Sequence, residues 1–221
     1  MSYRGFTFRA KPNALQEEAF LQFAGVCRLV WNLALEQRRD HWRNYQARSG
    51  NNLNYVAQCR ELTALRREVD FIRSVSQTCQ QHALKALDEA YRRFFKGLGG
   101  YPKPKKKGEN DFFTFNGREI IVERLNRRWG RVRLPKIGWV KFRMTRNLSG
   151  KITQATISLT PLGWQISINC KDCTTRDFAT DGAVGIDRGV AVPLMLSDGT
   201  TYTLPERLDV IERRARKAQR V

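Results

Sequence analysis

Asp187 is the residue of this chain with the clearest capacity for chemistry. It closes the apolar run Val184-Gly185-Ile186-Asp187, before Arg188-Gly189-Val190. A second apolar run over residues 190–196 leads to Ser197-Asp198-Gly199-Thr200. The spacing predicts a buried strand that ends in one carboxylate, then a second strand, then a hairpin with Asp198-Gly199 at its tight turn. A third strand is expected over residues 200–204. After Pro205 a helix is expected over 206–220, with Leu208 and Ile211 on one face and Arg213, Arg214, Arg216, Lys217 and Arg220 around the rest. Strand-borne carboxylates hold divalent metal in nucleases, where two ions brace the attacking and leaving oxygens. One carboxylate begins such a site without completing it, and alone it holds magnesium weakly. Spacing alone serves a turn residue between strands equally well.

The densest chemistry elsewhere is cationic. Residues 124–146 hold nine basic side chains, Arg124, Arg127, Arg128, Arg131, Arg133, Lys136, Lys141, Arg143 and Arg146, and no acidic one. Trp129, Trp139 and Phe142 interleave with them. Guanidinium groups make paired hydrogen bonds to phosphates, and aromatic rings offer stacking faces. A second basic segment, Tyr101-Pro102-Lys103-Pro104-Lys105-Lys106-Lys107-Gly108, is a proline-stiffened loop. Lys103, Lys105, Lys106, Lys107 and the nine cations of 124–146 are therefore the candidate nucleic-acid contacts. A plainer reading makes the aromatics core and the charges a solvated face. Whole-chain balance argues against it: forty Lys and Arg face twenty-one Asp and Glu, a net charge of +19. Such an excess repels itself unless a polyanion is the usual partner. Nucleic acid is the expected polyanion, ahead of an anionic membrane surface, and the pattern does not choose between RNA and DNA.

No apolar run approaches the roughly 20 residues of a membrane-spanning helix. Residues 1–10 lack the apolar core of a signal peptide. A cytoplasmic protein with no membrane partner is expected. Five cysteines without a secretory signal fit free thiols better than a disulfide framework. Cys170 and Cys173 form one C-x-x-C, but a zinc ribbon needs a second ligand pair, so no zinc site is expected.

The elements that must position these side chains fall into two textures. Residues 3–9 alternate as a strand with Phe6 and Phe8 on one face. Asn13 and Gln16 have the spacing of a capping box. Apolar residues then recur at three and four, first Leu15, Ala19, Phe20 and Phe23, then Val26, Val30, Trp31, Ala34 and Leu35. They predict helix to about residue 46, with Gly25 as a turn between two stretches. Further helices are expected over 55–69 and from Ser76 to the stop at Gly97-Leu98-Gly99-Gly100. The last carries Cys79, Ala83, Leu84, Leu87, Tyr91 and Phe94 on one stripe. Trp31, Phe94 and Phe95 are assigned to core. After Gly100, strands are expected over 112–115, 119–122, 131–134, 139–144, 152–159 and 164–169, as in a small barrel or sandwich. The fold class is α+β, a helical bundle inserted in a small β-barrel. The closing three strands and helix are how an RNase H-like fold begins.

A series of motifs along the chain is similar to one family. Lys11-Pro12 and Gln16-Glu17 open the first helix, and Cys27-Arg28-Leu29-Val30-Trp31-Asn32-Leu33-Ala34-Leu35-Glu36 follows. Val75-Ser76, Gln80-Gln81-His82-Ala83-Leu84, Leu87-Asp88, Ala90 and Phe94-Phe95 come next, then Gly100-Tyr101-Pro102 and Leu134-Pro135-Lys136-Ile137-Gly138. Val184-Gly185-Ile186-Asp187-Arg188-Gly189 and Leu196-Ser197-Asp198-Gly199 close the series. In this joint order the chain resembles the N-terminal half of the TnpB (OrfB) family, transposon-encoded RNA-guided DNA endonucleases related to type V CRISPR effectors.

The resemblance implies a division of labour. Residues 1–10 and 100–180 would form a wedge-like β-barrel that grips a guide RNA. Residues 11–99 would form a helical recognition domain along the guide–target duplex, helping to read a short target-adjacent motif. Residues 182–221 would be a partial RuvC domain, with Asp187 as its first catalytic carboxylate and a ligand of Mg2+ in an incomplete site. The family's later Glu, last Asp and zinc ribbon have no counterparts here, and Asp198 and Glu206 match neither carboxylate motif. The expectation is a nucleic-acid-binding portion, truncated within RuvC, that does not cut alone and has guide RNA and target DNA as partners. Two alternatives remain: a non-cleaving guide-RNA/DNA-binding or repressor protein, and a nuclease subunit completed by the missing half as a separate chain.

Overall fold

The computed structural model describes residues 2–46, 53–109, 111–173, 184–189, 192–203 and 208–218. Strand β1 (Tyr3–Lys11) alternates exposed and buried side chains, with Phe6, Phe8 and Ala10 inward. Helix α1 (Ala14–His41) starts on the expected capping box. The Asn13 side chain accepts from Gln16 N at 2.9 Å, and the Gln16 side chain accepts from Asn13 N at 3.2 Å. Gly25 is not a turn: α1 runs unbroken through it for 28 residues. A helical glycine costs only about 1 kcal/mol against alanine. The buried residues on both sides of Gly25, from Phe20 through Leu35, hold one continuous face against the core. Trp42–Gln46 continue α1 as a π-helical turn.

Helices α2 (Tyr55–Glu68), α3 (Asp70–Ser74) and α4 (Gln77–Phe95) follow. Trp31 and the α4 stripe from Cys79 to Tyr91 are buried, but Phe94 is only half-buried and Phe95 is 71% exposed, against expectation. Phe95 is the last residue of α4, past its buried turns, and its ring stacks on that of Tyr91 with centroids 6.2 Å apart.

The β region is one seven-stranded antiparallel sheet in the order β2-β6-β7-β1-β5-β4-β3. Its strands are β2 (Phe112–Asn116), β3 (Ile121–Arg124), β4 (Trp129–Leu134), β5 (Gly138–Arg143), β6 (Lys151–Thr160) and β7 (Gly163–Lys171), with β1 at the centre. β1 pairs with β7 along residues 3–9 and with β5 at Ala10 and Lys11. Expected strand 119–122 begins later, because Gly117–Glu119 form a 3-10 turn. The ladders run from β2 to β3; among the described residues no ladder joins those two edges, so barrel closure is not established. Helices and sheet share a core. The Phe20 ring meets Phe113 at 5.5 Å and Trp164 at 5.0 Å, and Phe23 meets Phe113 at 5.2 Å.

Residues up to 174 form one compact unit and those from 175 another. Within the second, β8 (Ile186–Asp187), β9 (Leu194–Leu196) and β10 (Thr201–Tyr202) pair antiparallel, and helix α5 covers Leu208–Ala218. These strands are shorter than expected. The strand ending in Asp187 is not buried: Ile186 is 69% exposed. A ladder of two residues gives its side chains little neighbouring sheet to pack against. Residues 181–183 and 204–207, on which the expected start and Glu206 fall, lie outside the described residues.

Candidate nucleic-acid interface

Period-two alternation sorts the basic stretch onto two faces. On β4 and β5, Gly130, Val132, Leu134, Val140 and Phe142 point inward and are buried. Trp129, Arg131, Arg133, Trp139, Lys141 and Arg143 therefore share the outward face. Cross-strand pairing brings Trp129 opposite Arg143, Arg131 opposite Lys141, and Arg133 opposite Trp139. The Arg131 guanidinium carbon lies 4.2 Å from the Trp139 ring centroid, and Lys141 Nζ lies 5.1 Å from that of Trp129. Lys11 on β1 is directly opposite Lys141. One row thus reads Glu123, Arg131, Lys141, Lys11 across four strands. The only carboxylate in it accepts from Arg131 Nε at 2.7 Å. Like charges directly opposite on a sheet are destabilising, so the row favours a bound anion. Lys11 was missed as a contact; the alternation of β1, with Phe8 and Ala10 inward, was the signal that could have found it.

The other cations of the stretch are placed differently. Arg127 and Arg128 are exposed at the β3–β4 turn. That turn is built by Asn126, whose side-chain oxygen accepts from Arg128 N at 2.9 Å and Trp129 N at 3.0 Å. Arg124 braces it, donating to the carbonyls of Asn126 and Arg127, both at 3.0 Å, and to Asn147. Lys136 has a left-handed backbone, φ 65°, and its ammonium donates to the carbonyls of Arg73 at 2.8 Å and Ser74 at 3.0 Å. Burial, then the charges of Arg66 and Arg73, push its pKa down. Arg146 turns toward the core edge, its guanidinium carbon 5.9 Å from the Phe6 and Phe8 rings.

The proline-stiffened loop is docked on α1. Asn32 accepts from Lys105 N at 2.8 Å and donates to Lys105 O at 3.0 Å. Trp31 Nε1 donates to Lys103 O at 3.1 Å. Asp111 accepts from Gly108 N at 3.0 Å and from Arg28. Lys105 points inward, its ammonium 4.1 Å from the Trp31 ring and 4.2 Å from that of Phe112, and burial lowers its pKa. Lys103, Lys106 and Lys107 stay exposed. The signature residues Arg28, Trp31 and Asn32 thus present three lysines and hold the fourth.

Asp187 stands apart from any ligand set. Among the described residues there is no group of three His, Cys, Asp or Glu that could hold a metal ion. Asp198 is engaged in its turn, accepting from Thr200 N at 2.9 Å, which lowers its pKa. One exposed carboxylate does not fit a two-ion centre. Cys170 and Cys173 are buried free thiols, and Cys173 Sγ donates to Ser149 O at 3.3 Å.

An α+β body that packs helices on an antiparallel sheet and shows a basic, tryptophan-bearing face is the class of protein defined so far. A family model described as a helix-turn-helix domain, OrfB_IS605, matches residues 1–47. The chain is 30% identical over 205 residues to a relative from Escherichia coli (strain K12) named RNA-guided DNA endonuclease InsQ, covering 90% of this chain and 48% of the relative. It is 31% identical over 232 residues to a Streptomyces pristinaespiralis protein named RNA-guided DNA endonuclease, covering 98% of this chain and 54% of that one. The chain belongs to the TnpB (OrfB) family. It spans about half the length of the curated relatives it matches. A CRISPR-Cas12f ternary complex matches with a TM-score of 0.46 and 10% identity, covering 92% of this chain and 51% of that one. A likeness at that level supports no statement about function. Among the described residues no helix is long and apolar enough to cross a membrane.

Proposed function

We propose that this chain is the nucleic-acid-binding part of a transposon-associated, RNA-guided DNA endonuclease and does not cut alone. The observation that carries the reading is the outward face of β3–β5, where Arg131, Arg133, Lys141 and Arg143 surround Trp129 and Trp139 with one carboxylate among them. The names of the relatives support guide RNA and target DNA as the ligands. In this reading residues 1–10 and 100–180 act as a wedge-like barrel on the guide, and residues 11–99 lie along the guide–target duplex. Residues 182–221 begin a RuvC domain with Asp187 as its first carboxylate.

The test replaces Arg133, Lys141 and Arg143 together with Glu. None of these side chains carries a structural hydrogen bond in the fold described above. Each lost phosphate contact reduces the salt slope by about 0.7 for single strands and 0.9 for duplex, so the slope should fall by roughly 2 to 3. An unchanged slope would place the contacts elsewhere and sink the reading.

The isolation of Asp187 favours a second reading, a guide-binding or repressor protein that never cuts. The two differ in one mixture. If a partner chain bearing further carboxylates restores magnesium-dependent cutting, and Asp187→Ala abolishes it without altering binding, the chain is a nuclease part. If no such partner restores cutting, the non-cleaving reading stands.

A further inference from the structure

One cavity has no residue of the basic sheet face in its lining. It encloses about 990 Å³, at the upper end of the roughly 300–1,000 Å³ usual for small-molecule sites. It opens where α1 ends, against the last two turns of α4 and Tyr101. Its aromatic walls come from Trp42, Tyr91, Phe94, Phe95 and Tyr101. The Tyr101 ring meets those of Tyr91 at 5.6 Å and Phe94 at 5.3 Å, both edge-on. The Tyr91 and Tyr101 hydroxyls are 3.0 Å apart. Burial and the Tyr101 hydroxyl push the Tyr91 phenol up, so it keeps its proton to offer.

Three features separate this cavity from an ordinary gap between helices. First, two of its aromatics are not packed away: Trp42 is 59% exposed and Phe95 71%. Exposed rings at a concave site are available stacking faces. Second, Arg38, Arg39, Arg43 and Arg92 line it beside a single carboxylate, Asp88. Both oxygens of Asp88 are taken, by Arg38 at 2.9 Å and Arg92 at 3.0 Å. Arg39 pairs with Glu36 at 3.0 Å and Asp40 at 3.8 Å, and Arg92 also meets Glu89 at 3.9 Å, so among the described residues Arg43 is the guanidinium of the rim with no acidic partner. Third, α1 changes to a π-helical turn at Trp42, the residue that enters the wall. Such turns are uncommon and recur at functional sites.

We infer that this cavity receives an unpaired nucleobase, stacked between Trp42 and Phe95, with its phosphate held by Arg43 at the rim. Flat apolar faces suit a base, the hydroxyl pair suits its polar edge, and a guanidinium suits the phosphate. A purely apolar partner would leave Arg43 unmatched. The inference rests on the nucleic-acid reading above but uses none of the sheet residues that carry it.

The experiment uses the full chain and two labelled single-stranded oligonucleotides of equal length, one with bases and one an abasic sugar–phosphate strand, each as RNA and as DNA. Fluorescence anisotropy gives affinities for wild type and for Trp42→Ala with Phe95→Ala. Both side chains are exposed, and an unchanged thermal melt checks that the fold is kept. The variant should lose about fivefold to a hundredfold on the base-bearing strand and nothing on the abasic one. A larger loss on RNA assigns the base to the guide; a larger loss on DNA assigns it to the target. Equal loss on both strands, or no loss, overturns the inference while leaving the sheet interface standing. Wild type that binds neither strand overturns both.

Discussion

Asp111 joins the proline-stiffened loop to the body through Gly108 and Arg28. Its side chain is 6% exposed and meets the guanidinium of Arg28, itself 20% exposed. Removing one partner of a buried pair leaves the other charge uncompensated, at a cost of about 3 kcal/mol or more. Asp111→Ala should therefore lower the unfolding free energy measured in urea by that amount and free the loop that displays Lys103, Lys106 and Lys107. A loss below about 1 kcal/mol would show that water replaces the carboxylate and that Trp31 and Asn32 suffice to hold the loop. Cys27 makes the second case. Burial pushes its thiol up to about 12 from an ordinary 9.0. The folded state then holds its proton where the unfolded state releases it. Its contribution to stability is complete below about pH 9 and is lost as pH rises through about 12. Stability measured by urea should fall across that window, and Cys27→Ala should make the fall shallower; an equal slope in the variant would assign the loss to other groups.

Gly25 decides a question at the scale of elements. Read along the chain it punctuates a helical pattern, and punctuation by glycine means a turn as often as a tolerated break. The structure runs α1 straight through it, and a Cβ there would meet only the Arg28 side chain, at 3.7 Å, an ordinary contact. Gly25→Ala should therefore stabilise the protein by about 0.5–1 kcal/mol, seen as a higher denaturation midpoint. Destabilisation would mean that the glycine serves a bend. The capping box at Asn13, the α4 stripe and six of the seven sheet strands were legible because each rests on neighbours within a few residues. What was not legible needed contacts remote in sequence. Lys105 and Lys136 read as members of two basic runs, yet one lies between the Trp31 and Phe112 rings and the other is held by the carbonyls that end α3. Phe95 read as core, yet it closes α4 beyond the last buried position, Tyr91. The outward row from Glu123 to Lys11 became visible only with strand register, which pairs β5 with a strand more than a hundred residues earlier.

At the scale of the whole molecule the core is unevenly distributed. Among the described residues every buried hydrophobic side chain lies at or before Cys173. Beyond it, Val184, Ile186, Val192, Leu194, Met195, Tyr202, Val210 and Ile211 are all exposed. Leu194 and Met195 are adjacent on β9 and point to opposite faces, and both are exposed. Segments with few buried apolar contacts open at low free energy, whereas a packed core opens only with global unfolding. Limited trypsin digestion should therefore cut first after Arg188, Arg213 or Arg216, although residues 1–173 hold most of the lysines and arginines. The same asymmetry predicts that a chain ending at Cys173 keeps both a cooperative melt and the nucleic-acid affinity of the full chain, since the outward face of β3–β5 and the docked loop lie within it. A melting temperature lowered by more than about 2–4 °C, the shift that roughly 1 kcal/mol produces in a chain of that size, would show that the later residues support that core after all. An intact melt with lost affinity would instead put the dominant nucleic-acid contact after residue 173, and the arginines of α5, Arg213 and Arg216, would become the residues to replace next.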